Sequence, residues 1–119
     1  MNRRVIVTNN FKGYHKYDGA PKNVSFLSNM HRHIFNVKTT IDVFHNERDI
    51  EFFQLQHAID KFVKLCYNKS WEQYIEGIYI ESCEALAEAI LKHLHENYPN
   101  RSVRVEVWED NENGAIVED

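Results

Sequence analysis

Between His31 and Val43 the chain alternates with a period of two. Phe35, Val37, Thr39, Ile41 and Val43 share one parity, and Asn36, Lys38, Thr40 and Asp42 the other. In an extended strand residues i and i+2 project from the same face, so this run predicts a half-buried strand. His31 and His33 open it on the apolar parity, where an imidazole is costly unless it is hydrogen-bonded or coordinated. Taken alone, the pair has two readings, packed histidines or part of a metal site. Zinc sites that do chemistry use three protein ligands and leave a fourth position for water or substrate, so a third ligand decides. His15 is the candidate. It ends a stretch in which Val5, Val7, Phe11, Gly13 and His15 share parity, again an alternating strand. The linker from Lys16 to Asn29 holds Asp18-Gly19 and Pro21, turn formers that let the chain double back. An antiparallel hairpin then sets His15 across from His31 and His33. His45 falls in a polar surface turn, and His57, His93 and His95 fall on segments read as solvated helix.

A chain of 119 residues, 43% hydrophobic and 13% aromatic, is expected to form one globular domain spanning 1–119. The net charge of -4, without a basic stripe, argues against nucleic acid and anionic membrane as partners. No 18-residue apolar run and no signal-peptide pattern follows Met1, so the expected location is cytoplasmic. Cys66 and Cys83 are too few and too far apart for a disulfide framework or a cysteine-rich zinc site, and read as packing residues on helices.

The helical spacing of Leu55, Ala58, Ile59, Phe62 and Cys66 predicts an amphipathic helix from Phe52 to Tyr67 that covers a sheet. A looser link is expected from Asn68 to Glu81. Ser82 can then cap a second helix, with Glu84 at its positive end, an apolar stripe of Leu86, Ile90 and Leu94, and Pro99 and Asn100 as the stop. A last strand alternates Val103, Val105, Val107 and Glu109 with Arg104, Glu106, Trp108 and Asp110, and a short strand can follow. The fold class is α+β: an antiparallel sheet with two helices packed on one face. Glu109 continues the valine parity. Either it sits on the apolar face and needs hydrogen-bond donors, which a ligand with two parallel N–H groups supplies, or the strand ends at Trp108 and Glu109 is in solvent.

In this order the motifs resemble the 6-pyruvoyltetrahydropterin synthase and 6-carboxytetrahydropterin synthase group of the tunnelling, or T-fold, superfamily. The resemblance covers most of the chain. Its first strand ends in Phe-x-x-x-His, here Phe11 to His15, and its second opens with His-x-His, here His31 and His33. Ile50-Glu51-Phe52-Phe53-Gln54-Leu55 is similar to the family's Ile-Asp-Phe-x-x-Leu, and Ser82-Cys83-Glu84-Ala85-Leu86-Ala87 to its Thr-x-Glu-Asn-Leu-Ala. Val107-Trp108-Glu109-Asp110, then Gly114-Ala115-Ile116-Val117, follow its Val-x-Glu-Thr and last glycine strand. The resemblance implies Zn²⁺ on His15, His31 and His33. It also implies a pterin held by Glu109, with Ser82 and Glu84 beside it, and lyase chemistry on 7,8-dihydroneopterin triphosphate. In the queuosine branch the products are 6-carboxytetrahydropterin, acetaldehyde and triphosphate; in the biopterin branch the product is 6-pyruvoyltetrahydropterin. It implies a homo-oligomer, a trimer or dimer of trimers, whose sheets join into a barrel.

The departures lie in the catalytic groups. The family places a cysteine a few residues before His-x-His, where this chain reads Ser25-Phe26-Leu27-Ser28-Asn29-Met30. It places an Asp-His pair between the helices, where this chain reads Ser70-Trp71-Glu72-Gln73-Tyr74. General acid or base work contributes ~10²- to 10⁴-fold, so the stand-ins matter. Ser28, Glu72 and Glu76 are the candidates. Cys83, at a helix start, and His57, on a helix face, are not expected beside the metal. Three functions follow: a zinc-dependent pterin lyase, a non-catalytic or altered-substrate homologue, and an interaction module whose histidines are packed.

Overall fold

The two alternating runs form β1 (Arg3–His15) and β2 (His31–Val43), paired antiparallel along their whole length. This is a computed structural model, and it describes residues 1–71 and 75–119. Residues directly opposite share a face. The register sets Val7 against Thr39, Phe11 against Phe35, Gly13 against His33 and His15 against His31. Val7, Phe11, Phe35, Val37 and Ile41 are buried on that face, while Ile6 and Ile34 of the other parity are exposed. The linker carries a 3-10 helix, Lys22–Ser28, and is pinned by the Tyr17 N–H donating to the Leu27 carbonyl at 2.6 Å.

Helix α1 (Phe52–Tyr67) begins at Glu51, whose carboxylate accepts from the Phe53 and Gln54 N–H groups that open the helix. It buries Leu55, Ile59 and Val63, one turn apart. Asn9 and Gln56 stitch it to β1: the Asn9 amide donates to the Gln56 carbonyl and the Gln56 amide to the Thr8 carbonyl, each at 3.0 Å. Cys66 departs from the expected stripe and is exposed. Phe62 and Tyr67, ring to ring at 6.4 Å, pack that end of the helix against the core instead.

The expected loose link from Asn68 to Glu81 is itself structured. It holds β3 (Asn68–Trp71) and β4 (Ile75–Tyr79), an antiparallel pair in which β4 runs parallel to β1 at Gly13 and Tyr14. Such short strands carry too little alternation to be recognised alone and are fixed by their neighbours. Gly77 permits the approach, since a Cβ there would lie 3.0 Å from the Lys12 carbonyl oxygen. Helix α2 (Cys83–Asn97) is capped by Ser82, whose Oγ accepts from the Ala85 N–H at 3.0 Å. It buries Leu86, Ala87, Ile90, Leu91 and Leu94.

β5 (Val103–Glu109) and β6 (Asn113–Glu118) complete a six-stranded sheet in the order β3-β4-β1-β2-β5-β6. The α+β class and the two covering helices are as expected; the sheet is mixed, not wholly antiparallel, because of β4. His93 and His95 are not simply solvated. His93 stacks on Phe62 at 4.1 Å between the two helices, and His95 pairs with Asp119. No helix of the described residues is long and apolar enough to cross a membrane.

Thr39 is fully buried in the core row between Val7 and Val105, and its Oγ1 has no hydrogen-bond partner among the described residues. Thr39→Val keeps the shape and removes an unmet polar group, so it should raise unfolding stability by about 1–3 kcal/mol. A denaturant titration reads this directly, and a lower midpoint would mean that the hydroxyl is bonded.

Candidate metal centre and adjoining cavity

The end of the β1–β2 hairpin gathers the three histidines. Because the pairing is in register to its last rung, His15 faces His31, and His33 lies two residues along on the same side. Ring centroids stand 4.4 Å apart for His15 and His31, 4.9 Å for His15 and His33, and 4.8 Å for His31 and His33. One ring nitrogen from each falls within 4.8 Å of the others. Beneath them lies Phe35, fully buried, edge-on to His15 at 5.5 Å and to His33 at 5.8 Å. Gly13 makes room for that ring, since a Cβ would lie 2.6 Å from it.

Hydrogen bonds at the outer nitrogens orient two of the imidazoles. His33 Nδ1 lies 2.6 Å from Asp110 Oδ2, and His31 Nδ1 lies 2.8 Å from the Asn29 carbonyl oxygen. A carbonyl or ionised carboxylate only accepts, so both Nδ1 atoms carry hydrogen, which leaves Nε2 as the nitrogen on each ring available to a ligand. Both Nε2 atoms are buried and without a hydrogen-bond partner among the described residues. Glu109 stands beside them, with Oε1 3.2 Å from His15 Nε2 and Oε2 3.8 Å from His33 Nε2. Converging lone pairs next to a carboxylate suit a cation, and three imidazoles suit zinc or a neighbouring divalent metal. Burial holds the His15 pKa below the usual histidine value, with Glu109 opposing and His31 and His33 reinforcing the shift, so the His15 imidazole is neutral at neutral pH.

A cavity of about 490 Å³ opens from this cluster, lined by His15, His31, Glu109, Ser82, Cys83, Glu84 and the linker residues Tyr17 and Leu27 among others. Ser82 and Glu84 thus line the same cavity as Glu109. Glu109 is in the site and only 26% exposed, which decides between its two sequence readings. Cys83 is a correction. The N-cap at Ser82 turns the first residue of α2 inward, and the buried Cys83 thiol donates to Glu109 Oε1 at 3.7 Å. Burial, then the charge and hydrogen bond of Glu109, push that thiol up to about 12, so it stays protonated. Ser28 is not brought in. Its hydroxyl donates to the Ser25 carbonyl at 2.7 Å in the exposed 3-10 helix. Glu72 lies outside the described residues, and for Glu76 only the backbone pairing with Ser70 is described. His57 is exposed on α1 and His45 pairs with Asp49, both away from the cluster. Sequence reasoning missed Asp110, although the polar turn after Glu109 and the β2–β5 register together place it beside His33.

A larger cavity, about 710 Å³, lies at the opposite end of the hairpin around Arg3, Arg48, Phe52 and Phe53, away from the histidine cluster. No protein-family model and no curated protein matches the chain. Solved structures do, along its whole length. A catalytic-residue mutant of Plasmodium vivax 6-pyruvoyltetrahydropterin synthase is 16% identical with a TM-score of 0.66, over 100% of this chain and 98% of that one. Plasmodium falciparum 6-pyruvoyl tetrahydropterin synthase is 18% identical, also at 0.66, over 99% and 98%. An uncharacterized protein from Wolinella succinogenes is 12% identical at 0.59, over 100% and 99%. At these identities the likeness is one of fold: the chain has the α+β fold of the 6-pyruvoyltetrahydropterin synthase structures.

Proposed function

We infer that this chain binds a divalent metal, zinc first, through His15, His31 and His33 and takes a pterin in the adjoining cavity, as a lyase acting on 7,8-dihydroneopterin triphosphate. One observation carries the reading: three imidazoles whose ring nitrogens converge within 4.8 Å of one another beside the half-buried Glu109 carboxylate at a cavity. The order of motifs and the shared fold support the substrate class. A zinc ion held there would supply Lewis acidity, polarising side-chain oxygens of the substrate. Glu109 is the anchor, its two oxygens able to accept a pair of parallel N–H bonds from a pterin edge. The Cys83 thiol, already donating to Glu109, keeps one carboxylate oxygen aligned. Ser82 and Glu84, at the start of α2, complete the wall. The same reading takes 1–119 as one cytosolic domain. Copies join as a trimer or dimer of trimers through the edge strands β3 and β6.

A second reading, binding without this turnover, is favoured by the protonated Cys83 and by Ser28, whose hydroxyl is engaged with the Ser25 carbonyl, neither suited to carry the proton. Metal analysis of the purified protein, followed by incubation with dihydroneopterin triphosphate and an acetaldehyde assay, separates the two. One metal per chain with acetaldehyde is the expected result. Metal and pterin binding without product moves the assignment to the second reading, and a metal-free protein that cannot be loaded defeats both.

A further inference from the structure

We propose that Asp110 is a positioning residue of the histidine centre: its carboxylate fixes His33 in the ring orientation and tautomer that aims Nε2 at the metal. The inference rests on the metal reading above. Three bonds tie Asp110 to β2 at the rung beside His33. Oδ2 accepts from His33 Nδ1 at 2.6 Å, Oδ1 accepts from the Ile34 N–H at 2.8 Å, and the Asp110 N–H donates to the Ile34 carbonyl at 2.8 Å. With one oxygen held by the main chain, the other cannot swing away from the imidazole. The turn is built to deliver it. Asp110 and Asn111 adopt left-handed backbone, φ 51° and 58°, which Asp and Asn tolerate best among side-chain-bearing residues. The Glu112 N–H closes the turn on the Glu109 carbonyl at 2.9 Å.

The neighbouring carboxylates therefore divide the work. Glu109, last in β5, faces the Nε2 side of the cluster, whereas Asp110, first in the turn, faces the Nδ1 side of His33. His31 receives from the Asn29 carbonyl what His33 receives from Asp110. A carboxylate at this position both selects the Nδ1–H tautomer and raises the basicity of Nε2, and loss of such a partner typically costs about 10–100-fold in metal affinity.

Asp110→Asn tests this. The amide has one accepting oxygen for two donors; if Ile34 keeps it, the NH₂ group faces His33 Nδ1 and drives the ring hydrogen to Nε2, where it blocks coordination. Zinc affinity, measured by competition with a chromophoric chelator, should fall about 10–100-fold. The ¹⁵N shifts of His33 in the metal-free protein should change from the Nδ1–H to the Nε2–H form. Asp110→Gly, which suits the left-handed backbone and offers no side-chain donor, should weaken zinc binding and leave the tautomers mixed, and it carries the test if the Asn variant folds poorly. Wild-type affinity or an unchanged His33 tautomer in these variants would overturn the role of Asp110 alone. A wild-type protein that takes up no zinc would overturn the proposed function with it.

Discussion

Phe35→Ala should be the most destabilising single substitution in the sheet, costing about 3–5 kcal/mol. Phe35 is fully buried and pairs in register with Phe11 on one side and Glu109 on the other. Its ring fills the space left by Gly13 and stands edge-on under His15 and His33. Truncation removes the transfer free energy of the ring and leaves a cavity that the rigid pairing of two 13-residue strands cannot close. A domain holding about 5–15 kcal/mol in all would lose roughly a fifth or more of its stability. The histidine cluster should loosen with it, since the floor under His15 and His33 goes. Phe35→Leu, which keeps most of the volume, should fold and lose less. Ile34→Ala, on the exposed face one residue away, is the control. Chemical denaturation of the three variants gives the order; equal losses at positions 34 and 35 would mean that Phe35 is not the packing centre of this end of the sheet.

The face of Phe35 was legible in the sequence because a period-two pattern over thirteen residues leaves one register that buries its apolar set. The same parity placed His15, His31, His33 and Glu109 on one side. The convergence of the three histidines then needed only the hairpin, which the Asp18-Gly19 and Pro21 linker signalled, whereas Glu109 joins them through the β2–β5 pairing that sets it against Phe35. β3 and β4 were not legible, since four- and five-residue strands are defined by whom they pair with, and β4 pairs in parallel with a strand more than sixty positions earlier. Cys83 and Asp110 were missed for a different reason. Each sits at the junction of a regular element, at the first residue of α2 and the first of the β5–β6 turn, where the direction of a side chain depends on cap or turn geometry and no periodicity reports it. Both touch residues that parity did place, Glu109 and His33, so the partners that orient the site were less legible than the site itself.

His15→Ala should lower zinc affinity by more than about 100-fold, beyond the loss expected from removing an orienting partner, because it takes away one of three donors. The measurement is thermal unfolding with zinc and with chelator. A ligand that binds only the folded chain stabilises it by ~2.7 kcal/mol at about 100 times its dissociation constant, so the wild-type protein should melt well above its chelated form. His15→Ala should melt at the same temperature in both. The comparison also has a pH signature. An unfolded chain protonates His15 near the ordinary value of about 6.5, whereas burial delays protonation in the fold to a lower pH. In that window the unfolded state holds more protons, so metal-free stability declines as the pH falls and levels off below the folded value. Zinc and protons compete for the same nitrogen, so the zinc-induced rise in melting temperature should shrink in the same direction. His15→Ala should lose both the zinc shift and its own share of the acid decline. A variant that kept the full zinc shift would show that His15 is a packed histidine beside the metal and not a ligand to it.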